Sequence, residues 1–367
     1  MNKQSGKLKR AVCVLLFMLL FSQVILHHQF FEPALQSLMN KGGRLAGFFA
    51  LPSFGFKQTA AAPVETEVDI QPQTQAEQPN TTVAATDTTQ PAADGDTAVA
   101  AASDAAGKIL TQQVGLTGAT NAPNLHINNK TGVSVDAARQ LLIRPDIKII
   151  KNKQPQVLIM HTHATECYFP KVSETYSASW ETRSTDNSKN VVRVGDEIAK
   201  QLNAAGIVTV HDTTQHDREA YSGSYARART TIQNYLEKYP SIDVVLDIHR
   251  DAVTYDDGTK LKPTVSIDGK NAAQIMIATG CNSGSVTEYP DWEQNFRFAI
   301  RVQQACETMY PGLARSMYFV SKKYNHDLNH GSILVEMGSE ANTLEEAIYA
   351  GELLGKALVR VLDGLQD

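Results

Sequence analysis

Cysteine is scarce in this 367-residue chain: there are four, Cys13, Cys167, Cys281 and Cys306. Cys13 lies in an apolar N-terminal run and the rest leave an odd number, so no disulfide framework is implied. Excess basic charge is also missing. The net charge is -5, and no basic stripe interleaved with aromatics appears, which argues against nucleic acid as a partner. Between residues 58 and 107 Lys and Arg are absent altogether. That stretch is Ala, Thr, Gln, Pro and Asp with almost nothing to bury, so it cannot offset its ordering entropy and reads as a disordered tether.

Long apolar runs are rare as well, and the one at residues 11–26 stands out. Lys3, Lys7, Lys9 and Arg10 precede it. No small-residue cleavage pattern follows, so it reads as a signal anchor rather than a cleaved signal peptide. With the basic cluster held inside, the remainder lies outside the cytoplasm. The expected layout is a cytoplasmic basic end and transmembrane anchor at 1–31, a juxtamembrane segment and linker at 32–135, and a globular domain at 136–367. A flexible coil of about 60–70 residues reaches roughly 40–50 Å, enough to lift a domain off a membrane.

In the globular part, strands alternate with amphipathic helices. Val157, Leu158, Ile159 and Met160 form a run of the length of a buried strand. Asn190 or Ser188 caps a helix carrying Val191, Val194, Ile198 and Leu202, ended by Gly206. A strand at 207–210, a helix at 226–239 stopped by Pro240, and a strand at 243–248 follow. Asp257-Gly258 and Asp268-Gly269 signal hairpin turns before a strand at 273–279. A helix at 292–310, a strand at 332–335 and a last helix opened by the capping pair Thr343 and Glu346 complete the pattern. Such alternation predicts an α/β fold, a mixed, mostly parallel sheet with helices on both faces.

Ligands in such sheets bind beyond the carboxyl ends of the strands. Three strands end in candidate chemistry: His161, His163 and Glu166 after the first, His249 after the second, Glu336 after the third. His163 and Glu166 form H-x-x-E, and His161 adds H-x-H, which on a strand would put both imidazoles on one face. Neutral imidazole and carboxylate are the donors a catalytic Zn²⁺ takes. Cys167 reads as a buried neighbour of these groups.

The runs HTHATECY (161–168), NVVRVGDE (190–197), HDTTQHD (211–217), YSGSYAR (221–227), DIHRD (247–251) and LVEMGS (334–339) together resemble the stage II sporulation protein P family. The resemblance covers about residues 150–367, with Cys167 where that family is expected to have serine. It implies a zinc-dependent N-acetylmuramoyl-L-alanine amidase fold, similar in plan to the zinc carboxypeptidases, with an added endopeptidase activity on stem-peptide crosslinks. The implied setting is septal peptidoglycan during forespore engulfment, on the outer side of the membrane. The implied partners are a lytic transglycosylase of the stage II sporulation protein D type and a recruiting membrane protein.

Carried over residue by residue, the ligands are His163, Glu166 and His249, with His161 as an alternative ligand or a support behind them. The amidase relatives place their ligand glutamate near the start of the following helix, where this chain has Asn190. Glu336 matches the catalytic glutamate. Arg193 and Arg250, and with them Arg227 and Arg229, are candidates to pair with stem-peptide carboxylates. His326, His330 and the 169–189 segment with Trp180 are candidates to line the cleft. The rival readings are a zinc peptidase that cuts only stem-peptide crosslinks and a peptidoglycan-binding scaffold without catalysis.

Overall fold

Every residue of β3 (Val157–Met160) is buried, as a strand covered on both faces must be. The computed structural model describes residues 105–366, and what it describes is built around β3 and its neighbours. The anchor at 11–26 and the tether as far as residue 104 lie outside the described residues. Among the described residues no helix is long and apolar enough to cross a membrane.

The remaining strands are β1 (Ala105–Gln112), β2 (Ile127–Asn129), β4 (Thr175–Ser177), β5 (Thr209–His211), β6 (Val244–Asp251), β7 (Lys260–Ile267), β8 (Lys270–Ala273), β9 (Ile275–Gly280), β10 (Met317–Val320) and β11 (Gly331–Ser339). The helices are α1 (Ala137–Leu142), α2 (Val191–Ala204), α3 (Ser224–Lys238), α4 (Trp292–Met309) and α5 (Leu344–Asp363). A seven-stranded sheet runs in the order β2-β10-β9-β11-β6-β3-β5. Its pairings are parallel except for β9 against β11, so the expected mixed, mostly parallel sheet is present. A four-stranded sheet, β4-β1-β7-β8, stands beside it. The Asp268-Gly269 turn joins β7 to β8 with φ values of 50° and 75°, the left-handed pair that a two-residue hairpin needs.

Helices cover both faces. Val157 and Ile159 belong to one core cluster with Val194 and Ile198 of α2, Leu354 of α5 and Phe296 and Phe298 of α4. Leu158 and Met160 point the other way, onto Ala228 and Ile232 of α3. Asn190 caps α2 by accepting from the Val192 N–H at 3.0 Å. At α5, Thr343 and Glu346 complete a reciprocal capping box. Glu346 also pairs with buried Lys262 of β7 at 2.7 Å, which fastens the smaller sheet to the start of α5.

Two expectations need correction. Residues 105–135, assigned to the linker, contribute β1 and β2: Ile109 pairs with Lys260, and Ile127 with Met317. These strands are short or half-solvated, so they lack the apolar run that would mark them. His249 and Glu336 also lie inside their strands rather than beyond them, because β6 and β11 run on to Asp251 and Ser339.

Candidate active site

Register assembles the centre of the site. In the parallel β6–β11 ladder, Glu336 stands opposite His249 and Leu334 opposite Asp247, so these side chains share a face. His249 is buried, with Nδ1 3.5 Å from Glu166 Oε2 and Nε2 2.8 Å from Asp247 Oδ1. The second approach is out of line for a hydrogen bond, leaving Nε2 without a hydrogen-bond partner among the described residues. Burial pulls the His249 pKa down, but Asp247 and then Glu166 outweigh it and raise it well above the usual value. Asp247 is itself held by the Thr162 N–H at 2.8 Å and the Thr162 hydroxyl at 2.7 Å.

The chain leaves β3 at Met160 and turns, so strand alternation does not carry through to His163. His161 keeps the parity of Val157 and Ile159 and points toward α2. Its Nδ1–H donates to Ile248 O at 2.8 Å, and its Nε2 lies 2.8 Å from His211 Nε2. His211 Nδ1 in turn meets Asp196 at 3.0 Å. Burial, then the neighbouring His211, pushes the His161 pKa down to about 3. The pair needs room that only glycine leaves: a Cβ on Gly195 would sit 2.6 Å from His211 Nε2 and 2.9 Å from His161 Nε2. With Nδ1 bonded to the β6 backbone and Nε2 facing His211, both His161 ring nitrogens are engaged away from His163, contrary to the shared face expected of H-x-H.

His163 does reach His249, edge to face with ring centroids 5.3 Å apart. Tyr221 stacks on it at 4.3 Å and Tyr225 packs edgewise at 5.7 Å. Nδ1 faces the Ser224 hydroxyl at 3.3 Å and Asp217 at 4.0 Å, which turns Nε2 to the opposite edge of the ring. Burial lowers the His163 pKa to about 4 against the pull of Glu166, so the imidazole is neutral near pH 7 and keeps a lone pair. Asp217 accepts from the Thr165 N–H and hydroxyl, at 3.2 and 2.6 Å, and from Arg183 at 2.6 Å. Arg183 lies over the Tyr221 ring at 4.8 Å, so a single bracket supports His163 from behind.

Glu166 accepts from the Arg250 N–H at 3.1 Å. Burial raises its pKa, but the hydrogen bond and charge of His249, then Arg250, prevail and hold it at about 2. Arg250 is fully committed elsewhere. Its guanidinium donates to Cys167 O and Thr182 O, both at 2.7 Å, to Asp251 O at 3.1 Å and to Glu340 at 3.3 Å. It is a buried structural cation and not a substrate arm, which corrects the expectation for that residue. Arg227 donates to His216 O and Ala220 O, and Arg229 grips Asp327 with two bonds of 2.9 Å. Arg193 is half-buried in the first turn of α2, and its guanidinium has no hydrogen-bond or ion-pair partner among the described residues.

The remaining candidates divide. His330 pairs with Asp146 at 3.2 Å, which occupies it away from His249. His326 is buried beside Tyr324. Trp180 packs edgewise on Phe169 at 4.5 Å, with Lys260 Nζ 5.7 Å above its ring.

Glu336 completes the centre. Its Oε2 is buried with no hydrogen-bond partner among the described residues. Burial first, then Asp251, raises its pKa to about 8 against the pull of His249. A carboxyl poised there exchanges protons near neutral pH. Tyr225 and Tyr324 are held protonated by burial and by nearby carboxylates, Asp247 for the first and Glu336 for the second, so both remain O–H donors. Asp217, Asp247, Tyr221 and Tyr225 fall within the runs singled out in the sequence, yet nothing in their spacing assigns them a role. Only their contacts do.

The donor chemistry suits a divalent metal. His163 is neutral, Glu166 is ionised, and His249 Nε2 is a buried nitrogen without a partner. His249 gains an extra proton where two carboxylates face it, the place a bound cation would otherwise neutralise. Among the described residues no three His, Cys, Asp or Glu side chains stand together as a ready metal cage.

The sequence pattern of the Stage II sporulation protein P family matches residues 51–359. The chain belongs to that family. A curated member, Stage II sporulation protein P of Bacillus subtilis (strain 168), is 29% identical over 201 residues, which take in 52% of this chain and 47% of the relative. The match thus spans about half of that family member's length. Among solved structures, the apo form of an N-acetylmuramyl-L-alanine amidase from Mycobacterium abscessus is 15% identical with a TM-score of 0.34, covering 58% of this chain and 99% of that one. An N-acetylmuramoyl-L-alanine amidase from Clostridium difficile 630 is 17% identical with a TM-score of 0.33, covering 58% and 97%.

Proposed function

We propose that this chain is a zinc-dependent peptidoglycan hydrolase of the N-acetylmuramoyl-L-alanine amidase type, acting on septal cell wall in sporulation. The observation that carries the reading is the His249–Glu336 pair: a metal-donor imidazole and an unpartnered carboxyl of raised pKa, side by side on adjacent strands. His163, Glu166 and His249 would hold the metal. Zn²⁺ bound there supplies Lewis acidity toward the lactyl-amide carbonyl and the attacking water.

The chain's own groups do the rest. Glu336, as carboxylate, takes the proton of the attacking water and passes it to the departing amino nitrogen. Asp217 and Tyr221 support the His163 ring, from the Nδ1 side and by stacking. Tyr225 and Tyr324 offer O–H donors to negative charge developing on the carbonyl oxygen. Arg193 stands free to meet a stem-peptide carboxylate. Endopeptidase activity, anchoring through residues 11–26, and pairing with a lytic transglycosylase and a recruiting membrane protein belong to the same proposal and rest on the family.

The test is digestion of purified sacculi followed by mass analysis of the products. Intact stem peptides released from glycan support an amidase. Peptides still joined to muramic acid, with only crosslinks cut, would make the protein a peptidase. No cleavage by the zinc-loaded protein would favour a scaffold.

A further inference from the structure

Arg315 precedes β10 and is only 7% exposed. Its Nη1 donates to Asp251 Oδ2 at 2.9 Å. Its Nε and Nη2 are buried and have no hydrogen-bond partner among the described residues. Those two N–H groups form one edge of the guanidinium, the parallel fork that matches the two oxygens of a carboxylate. Leaving them unmatched costs about 1–3 kcal/mol for each desolvated group, an unusual expense for a residue with only a structural role.

Backbone pairing places Arg315 beside the candidate active site: its N–H donates to Ile275 O at 2.8 Å, and the next residue, Met276, stands opposite Glu336. Asp251 lies two residues beyond His249 on β6 and shares its face. The Arg315 charge is near enough to lower the Glu336 carboxyl pKa. Tyr318, half-buried on β10, pairs with Ala278, which pairs in turn with Leu334, two residues before Glu336 on β11. Asp251 leaves that edge unmatched: its Oδ2 takes Nη1, and its Oδ1 accepts the Ala252 N–H at 2.8 Å.

We infer that Arg315 and Tyr318 form a subsite for a carboxylate of the substrate peptide, with the Nε/Nη2 edge of Arg315 as the reader. This deepens the functional reading above and rests on its stem-peptide substrate. The subsite selects a free carboxylate over its carboxamide, since an amide presents N–H groups to one arm of the fork.

The experiment is direct binding, by calorimetry with the full-length chain, of a stem peptide that lacks the lactyl amide and so cannot be cut. Its γ-linked D-glutamyl α-carboxylate is compared with the α-carboxamide twin. The wild type should bind the carboxylate peptide at least about tenfold more tightly, the scale of one charge-assisted pair. Arg315→Gln should abolish the preference, and Arg315→Lys should restore part of it. Because Arg315→Gln strands Asp251, Arg315→Gln with Asp251→Asn serves as a second, charge-balanced variant.

Equal binding of both peptides by the wild type would overturn the subsite without touching the amidase reading. A preference that survives in both variants would overturn it too, assigning the carboxylate to another cation such as Arg193. If the variants shift the pH–rate profile on sacculi while the peptide preference stays, Arg315 is a positioning residue for Glu336 and the subsite is wrong. Failure of either peptide to bind, together with intact sacculi, would sink the functional reading and the subsite with it.

Discussion

Replacing Glu336 with glutamine keeps the shape of the side chain and removes its charge, and the structure sets what should follow. The carboxyl titrates at 4.5 in an ordinary setting and at about 8 in the folded chain. Below pH 4.5 it is protonated whether folded or unfolded, so the substitution changes little there. Between 4.5 and 8 the unfolded chain releases this proton while the folded chain keeps it, so wild-type stability falls as pH rises. At about 1.4 kcal/mol per pH unit, the loss by pH 7 is at most roughly 3 kcal/mol, a ceiling because Glu336 is partly solvated. Glu336→Gln carries no such proton. Urea unfolding of the metal-free proteins should therefore show the variant gaining on wild type from pH 5 to pH 8. In the metal-loaded protein, hydrolysis of sacculi should drop by about a hundredfold or more while metal content holds. Parallel stability curves across this range would refute the buried, raised carboxyl. Loss of metal from the variant would make Glu336 a ligand and require Glu166 to be reassigned.

Other perturbations test other parts of the site. His249→Ala should strip the metal, measured as a fall from about one zinc per chain by elemental analysis; full occupancy would remove His249 from the donor set. Gly195→Ala gains helix propensity of about 1 kcal/mol but drives a methyl into the His161–His211 pair. The net effect should be a loss of about 1–2 kcal/mol in denaturant unfolding, typical of overpacking. A neutral result would mean that the two rings are free to move apart. Arg250→Ala should cost roughly 3 kcal/mol or more of stability, because it leaves three carbonyl oxygens without their donor and Glu340 with Lys260 as its remaining cation. A variant of wild-type stability with only a raised KM would return Arg250 to the substrate.

Periodicity made the architecture legible wherever burial is two-sided. The runs at 157–160 and 243–248 and the helix faces of 191–202 and 344–365 announce themselves, and the sheet between them follows. Strands at sheet edges were not legible. β1 and β2 carry one buried apolar residue among polar ones, and only pairing with β7 and β10 makes them strands. At the site, residue types at strand ends pointed to His163, Glu166, His249 and Glu336; His249 meets the His163 ring and the Glu166 carboxylate and stands opposite Glu336. Orientation was beyond reach: His161 and His163 are two apart, yet the turn after Met160 sends them to opposite faces. Arginines were the poorest guide. A guanidinium satisfied by backbone carbonyls, as in Arg250, looks in sequence like a free one. The unsatisfied fork of Arg315 lies in a stretch with no motif at all.

The strand β1 has a mechanical consequence. Tension applied at the N-terminal end of β1 is delivered to that strand first. From there the load divides between β4, which β1 pairs antiparallel, and β7, which it pairs in parallel. Lys260 at the start of β7 is bonded to Glu340, Glu340 to the Arg250 guanidinium, and the Arg250 backbone to Glu166. A pull on the upstream segment thus has a short, rigid route to a candidate metal donor. Strain entering β1 would reach the candidate donor through three bonds, from Lys260 to Glu340, from Glu340 to Arg250 and from Arg250 to Glu166.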